Sequence, residues 1–201
     1  MMEKKRTVTF DYSNLSTIGK ISFRMSAFNV TSKLISGNWL DILCGYKSLL
    51  QASQINNPKI SSFCSLDHKL DKKLLNLGIN LKELYIKKKL PYGNNYFDNI
   101  SIINGLEHLW FPQEILSECY RILKTGGVLQ VIVPTWFGKP FLELLAFTVK
   151  NKSAAVEMDD HKMYYDEKTL WALLVQAGFK PSKIKIKRIK FYCSLHSIVT
   201  K

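Results

Sequence analysis

The stretch Asn38-Trp-Leu-Asp-Ile-Leu-Cys-Gly-Tyr-Lys47 decides the fold of this chain. Its apolar run predicts a short buried strand, Trp39 to Leu43, which breaks into a tight turn at Cys44-Gly45 and then enters a helix. A strand, a glycine turn and a helix N-terminus together make a βα unit, in which backbone N–H groups can face a nucleotide ligand. Only one glycine stands in this turn, where nucleotide-binding turns usually carry two or three.

The bulk composition is that of one soluble globular domain. The chain has 201 residues, of which 46% are hydrophobic and 22% are charged, and it is long enough to build a core. Residues 1–14 lack the apolar core of a signal peptide, and the apolar stretch 141–149 is far shorter than the ~20 residues of a membrane helix. Four widely spaced cysteines without a Cys-x-x-Cys pair predict buried free thiols, no metal site and a reducing, cytoplasmic setting. The oligomeric state, monomer or homodimer, stays open.

The net charge of +13 has several explanations. A basic balance can indicate nucleic acid, an anionic membrane surface or an acidic substrate. The lysines are scattered, however, with local clusters at Lys87–Lys89 and Lys183–Lys190. A biased genome also enriches proteins in Lys, Ile and Asn, which would make the positive charge compositional. Nucleic-acid binding is therefore possible but not favoured.

Alternating strand and helix patterns from residue 38 onward predict a Rossmann-like α/β fold. Five or more strands alternating with helices make a doubly wound, mostly parallel sheet with helices on both faces. Two tail strands with little between them should pair antiparallel at one edge. Residues 1–37 are predicted to be a helical lead-in packed on the domain of residues 38–201. The predicted strands are Trp39–Leu43, Lys59–Leu66, Leu81–Ile86, Phe97–Asn104, Val128–Val133, Ser182–Lys190 and Phe191–Thr200, and the predicted helices are Ser48–Ser53, Leu70–Leu77, Pro112 to Gly126-Gly127, Phe141–Lys150 and a helix capped by Asp166 and ended by Gly178.

Motifs farther along the chain give a family resemblance. They are Leu90-Pro-Tyr-Gly-Asn-Asn-Tyr-Phe-Asp98, Asn104-Gly-Leu-Glu-His108, Tyr120-Arg-Ile-Leu-Lys-Thr-Gly-Gly127 and the later Asp160-His161 to Ala177-Gly-Phe179. In this order and spacing they resemble class I S-adenosylmethionine-dependent methyltransferases, specifically the type 11-like subgroup that reads LPF, FD, LEH and RxLKPGG. Thr125 replaces the proline of the last motif. The resemblance implies a sheet of about seven strands with one antiparallel strand near the edge, and S-adenosylmethionine at the carboxyl ends of the first strands.

The resemblance also implies cofactor-binding residues in the first turn. The family reads Asp-x-Gly-x-Gly-x-Gly there; Asp41, Cys44 and Gly45 match it, whereas Leu43 and Lys47 replace two glycines. A leucine in left-handed geometry costs ~1–2 kcal/mol, and its side chain would reach the methionine end of the pocket. Asp41 is either a ligand contact or a structural carboxylate that bonds its own turn.

Further cofactor contacts are implied at the ends of later strands. Asp67, after the second predicted strand, would accept hydrogen bonds from both ribose hydroxyls; the alternative is a cap for the helix near Leu70. His68 would flank the adenine or point into solvent. The acid that often binds the adenine amino group is absent from Tyr85–Lys89. The implied set is completed by Leu90, Asn104 and Gly105.

The candidates for catalysis are two histidines. His108 can orient or deprotonate a hydroxyl nucleophile, because histidine side chains in general change protonation near neutral pH, or it is structural. His161 faces the substrate or makes a polar contact at a helix start, and His196 is predicted to be exposed in an edge strand. Aromatic residues above the expected pocket are predicted to be core or lid, with a share lining an acceptor site: Trp110, Phe111, Trp136, Phe137 and Phe141.

Three functions are compatible with the sequence. The first is methyl transfer to an oxygen or nitrogen of a small molecule, where the lysine-rich surface suits an anionic sugar or a surface-polysaccharide precursor. The second is a catalytically inactive methyltransferase-like binding or partner domain, which Leu43 and the absent acid favour. The third is a nucleic-acid methyltransferase, which needs one continuous basic face beside the pocket.

Overall fold

The computed structural model describes residues 27–45, 49–70, 80–84, 89–141 and 160–201. The strands are β1 (Gly37–Ile42), β2 (Ile60–Asp67), β3 (Asn80–Glu83), β4 (Phe97–Ile103), β5 (Leu123–Pro134), β6 (Ile184–Ile189) and β7 (Ser194–Thr200), and the helices are α1 (Leu49–Ser53), α2 (Pro112–Ile122) and α3 (Glu167–Gln176). The strands form one sheet in the order β3-β2-β1-β4-β5-β7-β6. Strands β1 to β5 are parallel, and β7 pairs antiparallel with both β5 and β6. The predicted α/β fold with an antiparallel pair at one edge is therefore confirmed.

Two core faces follow from the alternation of side chains along β1. Leu40 and Ile42 point into the larger core, against which α2 and α3 pack. Trp39 points to the other face and packs with Ile35 and Leu50, near helical residues 27–32 and α1. Helices thus cover both faces, as the sequence predicts.

The helices begin where their sequences predict. Pro112 occupies the first turn of α2, where its missing N–H costs nothing. The side chain of Asp166 caps α3 by accepting a hydrogen bond from the backbone N–H of Thr169 at 2.7 Å.

The end of α2 differs from the prediction. The helix ends at Ile122 rather than at Gly126-Gly127, because Leu123 is already extended and pairs with Phe97 on β4. Both glycines lie within β5, where the backbone of Gly126 donates to Lys201 O at 2.9 Å. Pairing with neighbouring strands overrides the helical pattern here.

His196 is also placed differently from the prediction. It is only 4% exposed because β7 lies inside the sheet, between β5 and β6, rather than at its edge. Its Nε2 lies 3.1 Å from Oε1 of Gln130 on β5. Burial lowers the pKa of His196 to about 4.

Several predictions fall partly or wholly outside the described residues: most of the lead-in before residue 27, the helix after Leu70, the end of the third strand, Lys47, and the helix after Phe141. Of the four cysteines, Cys64, Cys119 and Cys193 are buried free thiols and Cys44 is partly exposed. Within the described ranges, no helix is long and apolar enough to cross a membrane.

Candidate active site

The turn after β1 adopts left-handed backbone geometry at two positions. Leu43 has a φ of +55° and Gly45 a φ of +75°. The backbone N–H of Leu43 donates to Leu66 O at 2.8 Å, which ties the turn to the end of β2. A left-handed φ suits glycine and costs a leucine ~1–2 kcal/mol. Position 43 therefore has the geometry of a glycine site while carrying a branched side chain.

The side chain of Leu43 lies against Gly105, at the end of β4. A Cβ added to Gly105 would lie 2.6 Å from Cβ of Leu43 and 3.0 Å from its Cδ1. The leucine is partly buried and packs on the larger core. Neighbouring Asn104 also has a positive φ, +50°, and its N–H donates to Ile132 O at 2.8 Å. Leu43, Asn104 and Gly105 thus meet where the ends of β1 and β4 lie side by side.

Asp67, the last residue of β2, connects the turn to the following loop. One carboxylate oxygen accepts from the N–H of Gly45 at 2.8 Å, and the other from the N–H of His68 at 2.7 Å. The Asp67 side chain is 6% exposed, whereas the imidazole of His68 is 67% exposed and has its Nδ1 2.7 Å from Asp67 Oδ1. The backbone N–H of Leu70 donates to Glu83 Oε1 at 3.0 Å, and the predicted helix that Asp67 would cap lies outside the described residues.

Asp41 bonds to a neighbouring strand. Its Oδ1 accepts a hydrogen bond from the Ser101 hydroxyl on β4, and Ser101 Oγ in turn accepts from Trp39 Nε1 at 2.9 Å. Asp41 is buried, and burial raises its pKa to about 7; the Ser101 bond lowers it, and the nearby Asp67 charge raises it further. These contacts connect the Asp41 carboxyl to β4 through Ser101.

Leu90 lies in the larger core, 1% exposed. Its backbone N–H donates to Glu118 Oε2 at 2.7 Å, and its carbonyl accepts from Arg121 Nη2 at 3.1 Å. Leu90, which the resemblance implies as a cofactor contact, is therefore held by α2 through both its backbone N–H and its carbonyl. The region in which the adenine-binding acid is absent, residues 85–88, lies outside the described part of the chain.

The two candidate histidines lie together. Their rings meet edge-on with centroids 4.8 Å apart, one from the 3-10 turn Leu106–His108 and one from the segment before α3. Nδ1 of His108 lies 3.0 Å from Asp160 Oδ2, and Nδ1 of His161 lies 3.2 Å from the Tyr164 hydroxyl. Burial lowers the pKa of His161 to about 4, and His108 adds to this shift. The contacts of Asp160 and Tyr164 with the histidines could not be predicted from sequence patterns, because each depends on the folded loop.

Exposed aromatic residues surround this edge of the sheet. Trp136 lies 5.4 Å from Tyr164 between ring centroids, and Lys139 Nζ lies 5.5 Å from the Tyr164 ring. Lys162 Nζ lies 5.4 Å from the ring of Trp110. The five predicted core or lid aromatics are all exposed in the described structure: Trp110, Phe111, Trp136, Phe137 and Phe141.

Curated relatives of this chain are named as methyltransferases. A ubiquinone/menaquinone biosynthesis C-methyltransferase, UbiE, of Neisseria gonorrhoeae (strain NCCP11945) is 31% identical over 121 residues, which cover 53% of this chain and 49% of the relative. UbiE of Pseudomonas aeruginosa (strain LESB58) is 30% identical over 127 residues, covering 53% and 48%. The chain thus spans about half the length of these relatives.

A solved structure shows the same fold at low sequence identity. A SAM-dependent methyltransferase from Aquifex aeolicus superposes with a TM-score of 0.62 at 16% identity, covering 96% of this chain and 100% of that chain. The sequence model described as a methyltransferase domain matches residues 22–183. Because that match includes most of the chain, the protein belongs to the methyltransferase domain family, whose cofactor is S-adenosylmethionine.

Proposed function

We propose that this chain transfers a methyl group from S-adenosylmethionine to an oxygen or nitrogen of a small anionic molecule. The bound cofactor supplies an electrophilic methyl sulfonium, so the protein has mainly to align the reactants and exclude water. We place the reaction in the cytoplasm, which the free thiols favour, and assign it to a monomer or homodimer. A carbon acceptor is the competing outcome, because the Neisseria and Pseudomonas relatives are named C-methyltransferases.

The observation that carries this proposal is the preformed carboxylate of Asp67. A carboxylate offers about four lone-pair positions, and the N–H groups of Gly45 and His68 use two of them. The positions left fit the two ribose hydroxyls of the cofactor. The imidazole of His68, which now lies beside the same carboxylate, is exposed enough to turn away. The residues at the end of β2 therefore fit the ribose end of S-adenosylmethionine.

The acceptor side supports an anionic small molecule. Lys139 lies against Trp136 and Tyr164, which are aromatic residues at the carboxyl edge of the sheet. Its ammonium group attracts negative charge to this surface. A phosphorylated sugar or a surface-polysaccharide precursor has the matching chemistry.

Isothermal titration calorimetry with S-adenosylmethionine and S-adenosylhomocysteine tests the proposal. We expect Asp67→Asn to weaken binding by about tenfold or more, because a hydrogen bond to a charged group contributes about 1.5–3 kcal/mol. Asp98→Asn is the matched control, since Asp98 also accepts from a backbone N–H, that of Asn38 at 2.9 Å, but lies at the start of β4. It should bind like the wild type.

The second candidate function is a binding domain that has lost the cofactor. The contact between Leu43 and Gly105 favours it, because a side chain stands where the family has a glycine. Absence of any heat with millimolar S-adenosylhomocysteine for the wild-type chain would establish this candidate and end the enzymatic proposal.

A further inference from the structure

We propose that Glu107, His108 and His161 form a binding site for a divalent transition-metal cation of the zinc type. One candidate ligand atom from each residue lies within 4.8 Å of the other two. Glu107 is 1% exposed, and the two histidines are partly buried. Two imidazoles and one carboxylate are the ligand set of catalytic zinc and of non-haem iron sites.

The hydrogen bonds of the two rings fit this assignment. In metal sites, a ligating histidine usually donates its second ring N–H to a carboxylate or another oxygen acceptor. Here Nδ1 of His108 lies 3.0 Å from Asp160 Oδ2, and Nδ1 of His161 lies 3.2 Å from the Tyr164 hydroxyl. These contacts leave Nε2 of each ring as the nitrogen that can bind the metal, and they fix the ring orientations.

Two further contacts hold the segments that carry the ligands. The backbone N–H of Lys162 donates to Glu107 O at 2.8 Å, and the hydroxyl of Tyr165 donates to Leu106 O at 3.3 Å in the buried interior. The 3-10 turn and the segment before α3 are therefore fastened on both sides of the cluster. A site built by such contacts loses little entropy when a metal binds.

The geometry requires only small side-chain movement. In a tetrahedral site with metal–ligand distances of about 2.0–2.1 Å, the ligand atoms lie about 3.4 Å apart. The three candidate atoms lie within 4.8 Å of one another, so side-chain movements of about 1–2 Å bring them to that spacing. The nearby ammonium of Lys162 is engaged by the carbonyl and carboxylate of Asp160, which offset its charge.

The role of this metal site rests on the proposed function, because the metal would bind the acceptor of the methyl group. Three protein ligands leave at least one coordination position for another molecule. The cluster follows β4 directly, beside Asn104 and Gly105. An acceptor hydroxyl bound to the metal there would be held in place and would have its pKa lowered.

Metal binding is measured on the full chain after removal of metal by chelator. We expect equilibrium dialysis against zinc chloride to give one zinc per chain, and Glu107→Gln and His161→Asn each to weaken it at least tenfold. His68→Asn is the control for a histidine outside the cluster and should keep the stoichiometry. Circular dichroism of each variant verifies the fold.

Cobalt(II) absorption of the wild-type chain gives a second measurement that needs no variant. Nitrogen and oxygen ligands give weak visible d–d bands, whereas a thiolate such as Cys44 adds strong near-ultraviolet absorption. A thiolate spectrum, no zinc binding, or a zinc affinity unchanged by Glu107→Gln and His161→Asn would overturn the proposal. Calorimetry with S-adenosylhomocysteine is a separate readout, so a failure of the metal site is distinguishable from a failure of methyl transfer.

Discussion

At the residue scale, Leu43 places a branched side chain where the backbone geometry suits glycine, directly against Gly105. We expect Leu43→Gly to tighten S-adenosylhomocysteine binding by about tenfold or more, because it clears the branched side chain from the end of β1 beside Gly105. The left-handed cost of ~1–2 kcal/mol that it also removes is present with and without ligand, so that part raises stability and not affinity. Calorimetry measures the change. Lys190→Gly is the control, since Lys190 also has a positive φ, +53°, but lies between β6 and β7. Equal affinity in Leu43→Gly and the wild type would contradict the role of this leucine.

Asp41 makes stability depend on pH. Its pKa is about 7 in the folded chain against 3.8 for the ordinary carboxyl, so the folded state holds a proton that the unfolded state has lost between these values. The stability it contributes is complete below pH 3.8 and is lost as the pH rises through 7. With about 1.36 kcal/mol for each pKa unit, the loss is of the order of 4 kcal/mol.

Asp41→Asn should remove this dependence. Urea unfolding between pH 4 and 8 measures it, and the stability of the variant should fall less over that range than that of the wild type. His196 acts in the opposite direction, since its pKa of about 4 means that its contribution is lost as the pH falls below 6.5. The difference in free energy of unfolding between the variant and the wild type isolates the contribution of Asp41. If the two free energies changed in parallel with pH, the raised pKa of Asp41 would be refuted.

At the element scale, α2 holds the loop of residues 89–95 through an ion pair. Arg121 bonds Glu118 on the same helix, and its Nη1 also donates to Tyr92 O at 2.8 Å. Hydrogen bonding to Arg121 lowers the pKa of the Glu118 carboxyl, which keeps it charged and able to accept from Leu90. One charged pair therefore fixes several backbone groups of this loop.

Arg121→Met should lower the free energy of unfolding by about 1–3 kcal/mol, because carbonyls of the loop lose charged donors. Amide hydrogen exchange should speed up most in residues 89–95. Arg188→Met is the matched control, since Arg188 pairs with Glu167 in an exposed position where such pairs contribute little. Uniform exchange across the chain in Arg121→Met would exclude a specific role in the loop.

At the scale of the whole molecule, charged residues line both edges of the sheet. Lys82 and Glu83 lie on β3, and exposed Lys185, Lys187 and Arg188 alternate with isoleucines on β6. Charged edge strands hinder pairing with the edge of another sheet. Part of the net charge of +13 thus protects the sheet edges from pairing with another chain. This explanation of the charge weakens the argument for nucleic-acid binding.

The alternation of strands and helices and the antiparallel pairing of the last two strands could be predicted because they depend on local patterns and ordered motifs. Burial of His196 could not, since it follows from the insertion of β7 between two other strands. The start of β5 at Leu123 could not be predicted, because the local sequence has a helical pattern. Strand β5 begins there because Leu123 pairs with Phe97 and Gly126 bonds to Lys201. The candidate metal cluster joins segments about 50 residues apart, a spacing that no local signature predicts.

The contact between Leu43 and Gly105 makes these two positions epistatic. A side chain at the end of β1 can be accommodated only while the end of β4 has none, whatever ligand the pocket binds. The effect of any substitution at one position is therefore defined only together with the residue at the other. In this chain, glycine at 105 has a steric reason that is independent of catalysis, so a mutational scan would find it intolerant even in an inactive background.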